Sequence, residues 1–241
     1  HEGALIGKIV SLYRKVPTIF DYQGSLTLET KQYLPSVTYK LVGWILRRIE
    51  KRINSWFVIV TQSESMKNKL LENPYKVKFV HNIHDGVDVN RFKPSVIDVD
   101  LANSLGVRIE STRFIYMGYF AEHQGFEILL KAMKIVLAKL PDSQLILLGY
   151  PMTQYYLNVI DELGLNENIV YVGKVDYFKA HHYLSLGSIA VAPKISLTEG
   201  DGKIYNYMSM GMKIVAFDRP TSREILEDAA IYACLLYTSD A

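Results

Sequence analysis

Short β-branched, apolar runs alternate along this chain with longer amphipathic stretches, and that alternation restricts it to folds in which helices cover a parallel sheet. The strand-like runs fall at 18–22, 56–61, 77–81, 113–118, 144–149, 169–173, 189–193 and 213–218. Helix-like stretches lie between them at 37–54, 64–72, 126–140, 154–163, 177–186 and 203–210. The runs from Phe114 to Met117 and from Leu145 to Leu148 are apolar at every position, the pattern of strands buried on both faces. The pattern predicts an α/β chain made of two Rossmann-like halves. Their expected limits are 1–92 and 113–233, with 93–112 as the connection, because the segment 85–112 has the weakest periodicity.

A chain of 241 residues with 49% hydrophobic and 22% charged residues has the composition of a folded globular protein, which excludes intrinsic disorder. The net charge of +2 hides an asymmetry. Residues 1–93 hold 15 Lys/Arg against 8 Asp/Glu, and the remainder 12 against 17, so a basic half precedes an acidic one. Cys234, the one cysteine, rules out an internal disulfide framework and fits a reducing, cytoplasmic setting. No apolar run approaches the roughly 20 residues that span a bilayer, and no signal peptide is visible. The chain opens on His1 without an initiator methionine, and neither end reads as natural; the end at 234–241 reads as artefactual sequence and stands outside the fold reasoning.

The densest polar chemistry sits in Pro193-Lys194-Ile195-Ser196-Leu197-Thr198-Glu199-Gly200-Asp201-Gly202-Lys203-Ile204, where a buried strand ends and a helix begins. Ligands of open α/β sheets bind at the carboxyl ends of strands, and a glycine loop before a helix offers N–H groups that suit a diphosphate. A lysine in the first helical turn, Lys203, is unfavourable there unless an anion lies close. Glu199 offers an acceptor for sugar hydroxyls. The same run also reads as a polar surface turn.

The run from Thr198 to Gly211, followed by Ile214-Val215-Ala216-Phe217-Asp218, resembles the donor-binding motif of glycosyltransferase family 4, a retaining family of GT-B fold. Asp85-Gly86-Val87-Asp88 with Arg91-Phe92-Lys93-Pro94 resembles that family's interdomain segment. Tyr116-Met117-Gly118, Gln124-Gly125-Phe126-Glu127, Leu147-Leu148-Gly149 and Val172-Gly173-Lys174-Val175 resemble successive parts of its C-terminal domain. The resemblance implies a nucleotide diphosphate-sugar as substrate, no cofactor and no metal, and transfer to a saccharide or lipid-linked acceptor in cell-envelope or exopolysaccharide synthesis. It assigns catalysis to Glu199 and Lys203. It assigns donor binding to Gly118, Gln124, Lys174, Val175, Lys194, Gly200, Gly202, Ile204 and Asn206, and the acceptor side to Gln23, Gly24 and Ser25. The family's early N-terminal domain has no counterpart here, so the chain is expected to be a fragment with little or no activity.

The sequence departs from the family pattern in three places. Asn206 stands near the expected second glutamate, one position closer to Glu199 than the family spacing. Tyr119 and Gln124 stand where an Arg and a Lys usually clamp the diphosphate, which puts more of that load on Lys203. Gln23 takes the place of a frequent histidine and cannot act as a base.

Other features point elsewhere with less force. His81 with His84, and His181 with His182, lack the cysteine or carboxylate company of a metal site, and His123 lies beside the candidate diphosphate loop. Stretch 37–54 puts Leu41, Ile45, Ile49 and Ile53 on one face and Lys40, Arg47, Arg48, Lys51 and Arg52 on the other. That pattern predicts either a helix packed by its apolar side or a peripheral contact with an anionic inner-membrane surface. No aromatic-plus-basic module for nucleic acid is present. A GT-B epimerase or phosphorylase, or a non-catalytic nucleotide-sugar-binding protein, are the alternatives; a dinucleotide dehydrogenase is disfavoured because no G-x-G-x-x-G follows a strand.

Overall fold

The computed structural model describes residues 2–27, 30, 34–72, 77, 79–196 and 199–234. Leu197 and Thr198 of the glycine-rich run, Lys78 of an expected strand and the end of the chain from 235 lie outside them. Two compact units divide the chain, His1–Asp85 with Leu197–Gly200, and Gly86–Ser196 with Asp201–Ala241. The division falls at Asp85/Gly86, and the whole of 93–112, expected as a connection, belongs to the second unit. The reason is apolar burial. Phe92, Ala102 and Val107 are all in that unit's core.

In the first unit, β1 (Ile19–Tyr22), β2 (Val58–Thr61) and β3 (Phe79–Asn82) form a parallel sheet in chain order. Helices α1 (Glu2–Arg14), α2 (Ser36–Asn54) and α3 (Glu64–Glu72) connect or precede them. Tyr22, Ile59, Met66 and Leu70 make one small core cluster, and Ala4, Ile53 and Phe57 another. The Ser63 hydroxyl starts α3 by accepting from the Met66 N–H at 3.1 Å.

Helix α2 does not bury the expected face. Leu41, Ile45 and Ile49 are exposed, and of the expected apolar stripe only Ile53 is buried. The buried positions are Gly43, Glu50, Ile53 and Asn54. A carboxylate sets this rotation. Glu50, fully buried, accepts from the Tyr22 hydroxyl, the Ser25 hydroxyl at 3.2 Å, the Leu26 N–H at 3.1 Å, the Thr27 N–H at 3.3 Å and the Thr27 hydroxyl at 2.5 Å. A buried charge needs such donors, so the helix face that carries it must turn toward the loop after β1.

In the second unit the elements run α4 (Val99–Leu105), β4 (Arg113–Tyr119), α5 (Phe126–Leu137), β5 (Gln144–Tyr150), α6 (Gln154–Glu162), β6 (Ile169–Gly173), α7 (Ala180–Leu184), β7 (Ile189–Ala192), α8 (Lys203–Ser209), β8 (Lys213–Phe217), α9 (Pro220–Leu226) and β9 (Ile231–Ala233). All six strands are parallel, in the order β6-β5-β4-β7-β8-β9. Alternate residues feed two cores. Ile115, Ile146 and Leu148 join one cluster with Leu184, Ile204 and Leu226, while Tyr116, Leu145 and Leu147 join the other with Leu129, Met133 and Tyr156. This is the doubly wound α/β architecture that the strand pattern implies.

Several limits differ from expectation. Helix α5 stops at Leu137 rather than at 140, and 177–186 divides into a 3₁₀ turn, Tyr177–Lys179, and α7. The Asp176 carboxylate accepts from the Phe178 N–H at 2.8 Å and tightens that turn. Helix α9 and the short edge strand β9 were not expected.

The strand order reverses between β4 and β7, with β5 and β6 lying on one side of β4, and β7, β8 and β9 on the other. The ladder of β4 with β7 holds at Phe114–Ile189 and Ile115–Ala190, and then the strands part. The buried Tyr207 hydroxyl fills the gap: it accepts from the Met117 N–H at 2.8 Å and donates to the Val191 carbonyl at 3.5 Å. Burial pushes this phenol well above its ordinary pKa, so it stays a donor.

Two substitutions test these arrangements by urea unfolding. Tyr207→Phe strands the Met117 N–H in the core and is expected to cost about 1–3 kcal/mol. Glu50→Gln puts an amide donor against groups that themselves donate. It is expected to cost a similar amount, about 1–3 kcal/mol, with faster hydrogen exchange at the Leu26 and Thr27 amides as its local mark.

Candidate functional site

The carboxyl ends of β4, β5 and β6 enclose a cavity of about 270 Å³ in the second unit. Met117, Leu148, Val175 and Ala180 contribute apolar lining, and Tyr119, Tyr150 and Tyr177 aromatic lining. The Tyr119 and Tyr150 rings meet edge to face with centroids 5.6 Å apart, and the Lys174 ammonium sits 4.8 Å above the Tyr150 ring. A mostly apolar hollow with a few polar groups, placed where an open parallel sheet ends, is the usual form of a ligand site in such folds. Of the residues singled out in the sequence, Gly118, Lys174 and Val175 line it.

Lys203 lies against the same strand end. A Cβ on Gly118 would come within 3.1 Å of the Lys203 Cε, and Gly118 has a φ of +150°, so glycine suits this backbone and lets the lysine stem lie close. The ammonium donates to the Asp201 carboxylate at 2.7 Å and to the Gln124 side-chain oxygen at 3.1 Å, 5.3 Å above the Tyr116 ring. The side chains of Lys203 and Asp201 are 7% and 3% exposed. The close anion that a first-turn lysine requires is thus already present in the form of a buried carboxylate. In the sequence Asp201 is one more polar residue of a glycine loop, and its partner appears only in the fold.

The loops after β4 and β7 are locked together beside this pair. Gly125, with φ +71°, lies so close to Pro193 that a Cβ would fall 1.9 Å from its carbonyl oxygen, and the Ile195 N–H donates to the His123 carbonyl at 3.2 Å. Gln124 is thereby fixed in reach of Lys203.

Asn206 is 5% exposed and already engaged at both ends. Its Oδ1 accepts from the Tyr177 hydroxyl at 2.9 Å, and its Nδ2 donates to the Gly202 carbonyl at 3.3 Å. The group facing the cavity beside it is Tyr177, unremarked in the sequence. Burial holds the Tyr177 phenol above its ordinary pKa, with the Asn206 bond pulling the other way, so it remains protonated and a donor.

The other expected donor residues fall elsewhere in the fold. Ile204 is fully buried in the core, so its side chain packs rather than binds, and Gly202 precedes α8. Lys194 is buried at 8% exposure. Glu199 and Gly200 group with the first unit. On the acceptor side, also in the first unit, Gln23 donates to Asp21 at 2.5 Å and accepts from Gln62 at 2.7 Å, and Ser25 is tied to Glu50. Gly24 is buried. No group of three or more metal-ligating side chains occurs among the described residues.

Comparison with solved structures places this architecture among known glycosyltransferases. The Anabaena protein HepE in complex with UDP and glucose matches with a TM-score of 0.79 and 18% identity, over 97% of this chain and 62% of its own. Sucrose-phosphate synthase from Thermosynechococcus elongatus matches with a TM-score of 0.74 and 18% identity, over 96% of this chain and 59% of its own. WaaG, a glycosyltransferase involved in lipopolysaccharide biosynthesis, matches with a TM-score of 0.75 and 9% identity, over 96% and 68%. The chain thus spans about three-fifths of the length of the first two, and at these identities the likeness is one of fold, the parallel α/β fold of GT-B glycosyltransferases. No curated protein sequence matches it significantly. Residues 101–237, more than half of the sequence, match the model of Glycosyl transferases group 1, and the chain belongs to that family.

Proposed function

We propose that the chain is part of a retaining glycosyltransferase of family 4, which moves a sugar from a nucleotide diphosphate-sugar to a saccharide or lipid-linked acceptor. The observation that carries the reading is the cavity at the ends of β4, β5 and β6 with a buried lysine directly behind its glycine wall. In this reading the nucleoside occupies the cavity, with the Tyr177 hydroxyl oxygen accepting a hydrogen bond from it and Lys174 at its rim. The diphosphate extends along Gly118 toward Lys203 and Gln124. Departure of the diphosphate develops negative charge, which fixed donors and an ammonium stabilise without help from a metal ion. HepE, of the same fold, is solved with UDP and with UDP-glucose, which makes UDP the first ligand to try.

A thermal-shift and calorimetric titration of the chain with UDP, GDP and ADP in EDTA tests this. One of the three is expected to stabilise the protein in proportion to its occupancy. Tyr177→Phe is expected to weaken that ligand about three- to tenfold while leaving the fold intact. Silence toward all three would remove the donor-site assignment, and binding that EDTA abolishes would remove its metal-free form.

The same proposal includes a peripheral position on an anionic membrane. No helix among the described residues is long and apolar enough to cross a bilayer. Helix α2, however, exposes Val37, Leu41, Trp44, Ile45 and Ile49 beside the basic Lys40, Arg47, Arg48, Lys51 and Arg52, a pairing that matches an interfacial helix. Arg48 lies 4.1 Å above the Trp44 ring. Cosedimentation is expected with vesicles rich in phosphatidylserine and not with pure phosphatidylcholine vesicles, and Leu41→Asp is expected to abolish it. Equal behaviour on the two kinds of vesicle would overturn the membrane position.

A further inference from the structure

The pairing of Lys203 with Asp201 has a consequence for how tightly the site holds its diphosphate. A lone ammonium attracts an incoming polyanion with its full charge. An ammonium with a carboxylate oxygen 2.7 Å away presents a nearly neutral pair, and the carboxylate also repels the incoming anion. Both side chains are almost completely buried, so solvent does little to screen either effect. The second carboxylate oxygen, Oδ2 of Asp201, is itself buried and without a hydrogen-bond partner. A carboxylate kept half-satisfied is costly, and hydrogen bonding inside the loop does not account for its presence. Gln124 supplies the Lys203 ammonium with a neutral acceptor on its other side, and the ring of Tyr116 supplies an electron-rich face, so the lysine has a fixed seat apart from Asp201.

We propose that Asp201 is a resident counter-anion that competes with the diphosphate for Lys203, lowering the site's affinity for the nucleoside diphosphate and thereby easing release of that product. The inference rests on the reading of Lys203 as the cation of the donor site. It makes Asp201 a positioning and affinity-setting residue that does not touch the reacting atoms. A merely structural Asp201 predicts the opposite sign, because disordering the loop weakens every ligand of the site.

Calorimetric titration of the whole chain with UDP and with uridine separates the two, since only UDP carries the diphosphate. If the donor-site titrations show GDP or ADP instead, that nucleotide and its nucleoside take the place of the uridine pair. Asp201→Asn is expected to tighten UDP binding about fivefold or more and to leave uridine unchanged within about twofold. In the charge-free pair Asp201→Asn/Lys203→Met, UDP is expected to bind no better than uridine. Asp201→Ser also removes the charge and provides the same comparison if asparagine at this position impairs folding, with the urea midpoint of each variant recorded alongside. UDP binding by Asp201→Asn that is equal to or weaker than the parent, with the double variant still losing its UDP preference, overturns this inference alone. Full UDP preference in the double variant overturns the role of Lys203, and the inference falls with it.

Discussion

The Tyr207 hydroxyl is the contact on which the second unit's organisation turns. Parallel strands that part inside a core leave unpaired N–H and carbonyl groups with no water to satisfy them. At the divergence of β4 and β7 a single phenol serves both, on Met117 and on Val191. The two strands can therefore part after Ile115 and Ala190 with the Met117 N–H and the Val191 carbonyl still paired. The loops that follow them then close on each other through Gly125 and Pro193, which brings Gln124 and Lys203 together from positions far apart in the chain. One side chain from α8 thus satisfies the strand ends at the point where the strand order reverses.

Two buried carboxylates illustrate how differently the same group is stabilised. Glu50 is surrounded by hydroxyl and amide donors and acts as the hub of the segment after β1. Asp201 faces an ammonium and keeps one oxygen without a partner. The first arrangement is what a folding anchor needs, since dispersed neutral donors hold a charge without requiring a second one. The second is a buried ion pair, whose desolvation consumes most of its attraction. Its presence in a strand-end loop beside a cavity points to a use beyond stability.

Much of the second unit's fold is legible in the sequence because its central strands, β4 and β5, are apolar along most of their length. Phe114 to Met117 and Leu145 to Leu148 read as two-sided strands, and both faces of each are buried. β9 was not legible: Ile231 is largely exposed, and a three-residue edge strand carries no periodicity to detect. α9 does carry a signal, Pro220 at its first position. The sequence leaves open whether the apolar stripe of α2 packs or stays exposed; the position of Glu50 decides the matter, and a lone glutamate on a basic helix gives no hint of burial. Gly118, Lys174 and Val175 were found from motif positions, and they do gather in one cavity. Asp201, Tyr177 and Tyr207 were not, since their importance lies in partners that only the folded chain supplies.

The placement of the tryptophans has an optical consequence. The chain has two, Trp44 on the exposed side of α2 and the half-buried Trp56 just beyond that helix, both in the first unit. The second unit is rich in tyrosine and contains no tryptophan. Selectively excited tryptophan emission therefore follows the structure of the first unit alone, and circular dichroism follows both. Where the two signals diverge along a denaturation curve, the difference measures how independently the two units hold their folds.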